Sequence, residues 1–210
     1  LNPTRLPPHA PGLRIGLFGG SFNPPHEGHR AASLLALRRL RLDWIWWIVS
    51  PGNPLKDKGD LAAFPLRLEA ARTIAHHPRI VVTGFEAALR SAYSYETIGY
   101  LKRRCAGVRF VWVMGADNLV GFHHWKYWRE VAELVPIAVI DRSGATLKAT
   151  RSRAGQALSP YRKSATNGPR LALMPPPVLI FLYGPRIDIS STELRETAHI
   201  RETTPFKRAL

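Results

Sequence analysis

The chain has 210 residues, a length that suits one globular domain, and 45% of them are hydrophobic, ample for a core. Its 30 Lys and Arg against 15 Asp and Glu give a formal charge of +15, which fits contact with nucleic acid or a field that draws in anionic small molecules. No apolar run approaches the roughly 20 residues of a membrane span, and a single cysteine, Cys105, excludes an internal disulfide framework and fits a reducing cytoplasm.

In chain order, residues 1–13 are Pro-rich with little apolar character, and read as a flexible extension rather than a signal peptide. The domain proper is expected over 14–210. Arg14 to Phe18 reads as a buried strand, and Arg30 to Leu40 carries Ala and Leu at helical spacing. Trp44 to Val49 and Arg79 to Thr83 are predicted strands, with a helix from Leu66 to His76 between them. A helix from Tyr95 to Arg104 leads into Val108 to Met114, a central strand apolar but for Arg109, and Cys105 is expected to pack at the helix end. Pro136 to Ile140 and Val178 to Tyr183 complete the strands, and a helix from Ser191 to Thr197 closes the chain as part of a C-terminal helical cap. Residues 142–177 show no clear period and leave room for one short helix. Strands alternating with helices argue for an α/β fold: a doubly wound, mostly parallel, Rossmann-like sheet with helices on both faces.

The run Gly19-Gly20-Ser21-Phe22-Asn23-Pro24-Pro25-His26-Glu27-Gly28-His29 sits where the first strand hands over to the first helix. In open α/β sheets ligands bind in that crevice, and a helix N-terminus offers N–H groups and a positive dipole end to phosphate. Gly19 and Gly20 let backbone approach a ligand closely. Asn23-Pro24-Pro25 fixes an extended turn that delivers His26 to the helix start. The run is neither a P-loop, for no Lys follows the glycines, nor the Gly-x-Gly-x-x-Gly dinucleotide fingerprint. A second run, Ile189-Ser190-Ser191-Thr192-Glu193-Leu194-Arg195, follows the last strand and opens the last helix. Alone, it is an ordinary N-cap.

Together the two runs resemble the His-x-Gly-His and Ser-Ser/x-Thr-x-x-Arg signatures of the nucleotidylyltransferase superfamily. Over residues 14 to 200 the chain resembles the bacterial nicotinate-nucleotide adenylyltransferases, which join ATP to nicotinate mononucleotide and expel pyrophosphate. The resemblance implies a catalytic set of His26, His29 and Arg195. It implies an ATP site of Gly19, Gly20, Ser21, Phe22, His26, His29, Gly115, Asp117, Ile189, Ser191, Thr192 and Arg195. The acceptor would meet Asn23, Lys56, Ser94, Tyr95, Asp117, Trp125 and Arg142. In this scheme Asp117 contacts ribose hydroxyls, Trp125 stacks on the pyridine ring, and the Ser94-Tyr95-Glu96-Thr97 segment binds the nicotinate carboxylate at a helix start, with Glu96 pointing to solvent. Mg2+ would be carried mainly by the ATP phosphates rather than by a protein cage, since it keeps several waters. The partners implied are these two substrates, with neither nucleic acid nor membrane, in the cytoplasm.

The chain departs from the family pattern at Ser94, where Thr is expected, at Lys126, where Tyr is common, and through Asn53 to Lys56, one residue short. His123 and His124 are expected at a pocket rim or surface, because no third metal ligand has suitable spacing. His76 and His77 end a helix, where the dipole suffices. The alternatives are an adenylyltransferase for nicotinamide mononucleotide or phosphopantetheine, or a non-catalytic basic protein that binds nucleic acid. The phosphopantetheine enzymes usually carry Thr-Asn before their Gly-His, where this chain has His26-Glu27.

Overall fold

A computed structural model describes residues 5–52, 61–89, 93–141 and 145–184, together with Ser191. Its strands are β1 (Arg14–Gly20), β2 (Trp44–Val49), β3 (Ile80–Thr83), β4 (Arg109–Gly115), β5 (Ile137–Ile140), β6 (Arg162–Lys163) and β7 (Leu179–Leu182). The helices are α1 (Glu27–Arg39), α2 (Phe64–Ile74), α3 (Glu86–Leu89), α4 (Ser94–Arg104), α5 (Ala116–Gly121), α6 (Trp128–Leu134), α7 (Ala145–Arg151) and α8 (Arg153–Ala157). The strands form one sheet in the order β3-β2-β1-β4-β5-β7-β6, every pair parallel. The doubly wound α/β fold expected from the alternation is the fold observed.

Side chains alternate across a strand, and here both faces are buried. Trp46, Phe110, Trp112 and Val139 pack on one side with α4, α5 and α6. Ile45, Trp47, Val111 and Ala138 pack on the other with α1 and α2. This is why the strands read as continuous apolar runs instead of alternating ones. Two glycines of β1 let the sheet close up. A Cβ on Gly16 would lie 2.8 Å from Leu42, and one on Gly19 would lie 2.7 Å from the Trp112 ring. Gly19 therefore has a packing reason for being glycine, independent of any ligand.

From β1 the chain builds outward through β2 and β3, then returns to lay β4 on the opposite edge of β1 and continues to β5 and β7. The connections leaving β1 and β4 diverge, and the crevice between their C-terminal ends is where such sheets bind ligands.

Several boundaries differ from the sequence reading. β1 runs on through Gly19 and Gly20. α1 starts at Glu27, not Arg30, because His26 caps it, so His29 lies within the first turn. α2 starts at Phe64 with Pro65 in its first turn, where proline is tolerated. Ser94 is the first helical residue of α4 and the cap position belongs to Tyr93. The 142–177 stretch holds α7, α8, two 3-10 segments and the short β6. Cys105 is buried at the end of α4 as expected, and burial pushes its thiol pKa up. Of residues 1–13, Leu6 and Leu13 pack against the core, and the Gly12 N–H bonds the Gly107 carbonyl at 2.8 Å.

Candidate active site at the C-terminal edge of the sheet

His26 and His29 cap α1 reciprocally. The Gly28 N–H donates to His26 Nδ1 at 3.1 Å, and the His26 N–H donates to His29 Nδ1 at 3.2 Å. Orphan N–H groups of a first helical turn are thus met by imidazole nitrogens instead of hydroxyl or carboxylate oxygens. The consequence is chemical. A neutral ring whose Nδ1 accepts carries its hydrogen on Nε2. Both rings are therefore Nε2–H donors, and their centroids lie 3.8 Å apart. His26 is buried, while His29 is boxed by Phe18, Phe22 and Trp47 at centroid distances of 5.9, 5.0 and 6.0 Å. Below them the Trp47 indole N–H donates to Ser33 Oγ at 2.7 Å, and that hydroxyl donates to the His29 carbonyl. The rings sit on a rigid floor.

The two sequence motifs meet. Ser191 Oγ donates to the Pro24 carbonyl at 2.9 Å across 167 residues of chain, which sets Ser191 of the second motif beside the histidine loop. Asn23 is buried, and its Oδ1 accepts the Ala62 N–H at 3.1 Å, which ties the histidine loop to the segment ahead of α2. Gly20 and Ser21 line the way from β1, and Phe22 stacks on Trp47 at 4.9 Å. Lys56, Arg142, Ile189, Thr192 and Arg195 lie outside the described residues.

Across the crevice, Gly115 precedes α5, and Asp117 sits exposed in the first turn of that helix. Trp125 is half-buried and meets Trp112 and Phe122 edge-on at 6.1 and 5.2 Å. The Tyr95 ring lies 5.3 Å from that of Tyr127. Lys126, the departure from the family pattern, holds its ammonium 4.5 Å from the Tyr93 ring centroid and 5.2 Å from that of Tyr127. A cation therefore stands beside the start of α4. Glu96 is exposed, while Thr97 is buried and donates to Glu86 Oε1 at 2.6 Å. Burial raises the Glu86 carboxyl from 4.5 to about 7, against the lowering effect of that hydrogen bond. His124 is exposed and His123 half-buried, its ring nitrogen 3.2 Å from the Val120 carbonyl.

Sequence reasoning missed Glu86 and Arg67. Arg67 is 2% exposed and bonds four backbone carbonyls around the β1 and β2 loops. A signal for it existed: Arg67 stands next to Leu68 and four residues before Ala71, on the face that α2 buries.

The cytidylyltransferase-like family matches residues 17–197. A Methylorubrum extorquens protein named "Probable nicotinate-nucleotide adenylyltransferase" is 52% identical over 87% of this chain and 99% of its own length. A Brucella suis protein of the same name is 49% identical over 88% of this chain and 95% of its own. This chain belongs to the cytidylyltransferase-like family, among the nicotinate-nucleotide adenylyltransferases. Two Plasmodium falciparum nicotinic acid mononucleotide adenylyltransferase structures, one complexed with APC and one with NaAD, share the fold. Each has a TM-score of 0.60, at 16% and 17% identity, over 88% and 90% of this chain and 83% and 89% of theirs. Nucleotidyltransferases of this kind generally use a divalent metal with the nucleotide. Among the described residues no helix is long and apolar enough to cross a membrane.

Proposed function

We propose that this chain transfers the adenylyl group of ATP to nicotinate mononucleotide, giving deamido-NAD and pyrophosphate in NAD biosynthesis. The observation that carries the reading is the reciprocal histidine cap, which leaves two Nε2–H donors at the crevice of a doubly wound sheet. The names of relatives about half identical over most of the chain give it the acceptor.

The reaction is an in-line displacement. A phosphate oxygen of nicotinate mononucleotide bonds to the α-phosphorus, and the bond from that phosphorus to the bridging oxygen breaks, releasing pyrophosphate. Both partners are anions, so the protein's part is alignment and charge neutralisation. His26 and His29 donate Nε2–H to phosphate oxygens as negative charge grows there. Because those nitrogens carry hydrogen, they address oxygen rather than a metal. Mg2+ would accompany ATP, held mainly by the phosphates, and would neutralise part of their charge. Arg195 and Arg142 hold the departing pyrophosphate, Ser191 and Thr192 bind the triphosphate, and Ile189, Gly115 and Asp117 bound the nucleoside. Lys56 faces the acceptor phosphate. Ser94 and Tyr95 receive the nicotinate carboxylate, whose charge a helix start favours, and Trp125 takes the pyridine ring. The enzyme works in the cytoplasm.

The test is pyrophosphate release from ATP and Mg2+ with nicotinate mononucleotide, nicotinamide mononucleotide and phosphopantetheine offered separately. The nicotinate compound should be the best acceptor. Release with none, or a clear preference for another, overturns the proposal.

A further inference from the structure

Arg67 is the most unusual charged group among the described residues. Its side chain comes from the first turn of α2 and is buried to 2% exposure. A buried guanidinium is ordinarily paired with a carboxylate. Here, among the described residues, the ion pairs are Arg30–Glu27 and Arg72–Glu69, and neither involves Arg67. Four carbonyls satisfy it instead. Nε donates to Ala62 O at 2.8 Å; Nη1 donates to Ser21 O at 2.6 Å and Ser50 O at 2.8 Å; Nη2 donates to Pro51 O at 3.3 Å.

Those acceptors belong to two loops. Ser21 follows β1 and leads to His26. Ser50 and Pro51 follow β2, and Ala62 is the far end of the same connection. One planar group thus sets the spacing between the loop that presents the histidines and the loop beside it. Its reach is extended by the Ser50 N–H on Gly20 O at 2.9 Å and by the Ala62 N–H on Asn23 Oδ1 at 3.1 Å. The four carbonyls are neutral, so none of these described partners cancels the positive charge of Arg67.

We infer that Arg67 is a positioning residue for adenylyl transfer: its buried fork, held by the carbonyls of Ser21, Ser50, Pro51 and Ala62, ties the β1–α1 loop to the two ends of the β2–α2 connection at the spacing the reaction needs. The inference rests on the adenylyl-transfer reading. A Lys cannot substitute, because an ammonium is a point charge whose three donors do not lie in a plane. The histidine donors matter most as charge develops in the transition state, so misplacing their loop lowers kcat more than it raises the KM for ATP.

The test uses Arg67→Ala and Arg67→Lys, with melting curves to establish that each is folded at the assay temperature. For Arg67→Ala, kcat should fall at least about 10²-fold, the scale for a misplacement of about 1 Å. The KM for ATP should change far less, and added guanidinium, but not ammonium, should restore activity by about an order of magnitude. A folded Arg67→Lys variant should remain deficient in kcat. If Arg67→Ala keeps near wild-type kcat, or changes only KM, the inference fails. If Arg67→Ala is unfolded, Arg67→Lys decides: folded and fully active refutes it, folded and slow supports it. If both unfold, Arg67 serves folding and the inference fails. A wild type that releases no pyrophosphate from ATP and nicotinate mononucleotide, yet is folded, would instead refute the adenylyl-transfer reading, and the inference with it.

Discussion

Glu86 is a buried acid inside a packed α/β layer, and its replacement by Gln gives a sharp test of what burial does to it. The carboxyl is 7% exposed, and its Oε1 accepts the Thr97 hydroxyl at 2.6 Å. Desolvation raises its pKa from 4.5 to about 7. An acid whose folded pKa lies above its unfolded one contributes stability in full below about pH 4.5, and that contribution is lost as pH rises through about 7. At 1.36 kcal/mol per pH unit, the interval from 4.5 to about 7 corresponds to a penalty of about 3 kcal/mol once the group is ionised. Gln keeps the acceptor for Thr97 and cannot ionise. Glu86→Gln should therefore match the wild type near pH 4.5 and be more stable above pH 7 by up to about 3 kcal/mol. In a chain of this length each kcal/mol is about 2–4 °C in Tm. Chemical denaturation of both proteins at intervals across pH 4.5 to 8 reads the difference directly. Parallel stability curves would show that Glu86 titrates normally, and that the account of its burial is wrong. Since Thr97 lies in the first turn of α4, ionisation should also weaken binding of the acceptor, if the start of that helix receives its carboxylate as proposed.

His26→Asn should keep the cap on Gly28 while removing Nε2–H, so kcat should fall at least about 10²-fold with stability above that of His26→Ala; equal kcat in Asn and wild type would refute the donor role. Gly19→Ala places a methyl 2.7 Å from Trp112 and should cost about 1–3 kcal/mol by thermal melting, and an unchanged Tm would show that the ring moves aside freely. The preference in kcat/KM for nicotinate over nicotinamide mononucleotide should be at least about 10²-fold, and parity would sink the assignment of Ser94 and Tyr95. Lys126→Ala should narrow that preference by about fivefold, the worth of about 1 kcal/mol for a charge in a watery setting, and an unchanged ratio would leave Lys126 outside recognition. Duplex DNA should bind no tighter than the roughly 10⁻⁶ M of non-specific contact at physiological salt, and nanomolar selective binding by anisotropy would overturn the reading of the basic charge.

The strand pattern was legible because its cause is local. The bounds of Trp44–Val49 are readable in the sequence, since a strand buried on both faces needs an unbroken apolar run and its ends show as polar neighbours. The helix starts were less legible. His26 is an unconventional cap, and nothing in its residue type announces that its Nδ1 takes the Gly28 N–H, so the apolar spacing alone starts α1 three residues late. The short α7 and α8 have too few residues for a period to emerge from 142–177.

The candidate site divides along the same line. Residue type and spacing alone determined that two histidines stand at a strand-to-helix junction, that a hydroxyl-rich run opens a late segment, and which family those runs resemble. Only the tertiary structure decided the rest. It set Ser191 against Pro24, brought Lys126 over Tyr93, and gathered four carbonyls from two loops around Arg67. The reason is that periodicity reports which face of an element is apolar, whereas a buried polar group is decided by partners that are distant in the chain. Arg67 on the inner face of α2 contradicts the apolar pattern, and only the carbonyls of Ser21 and Ser50, 46 and 17 residues away, make that contradiction stable.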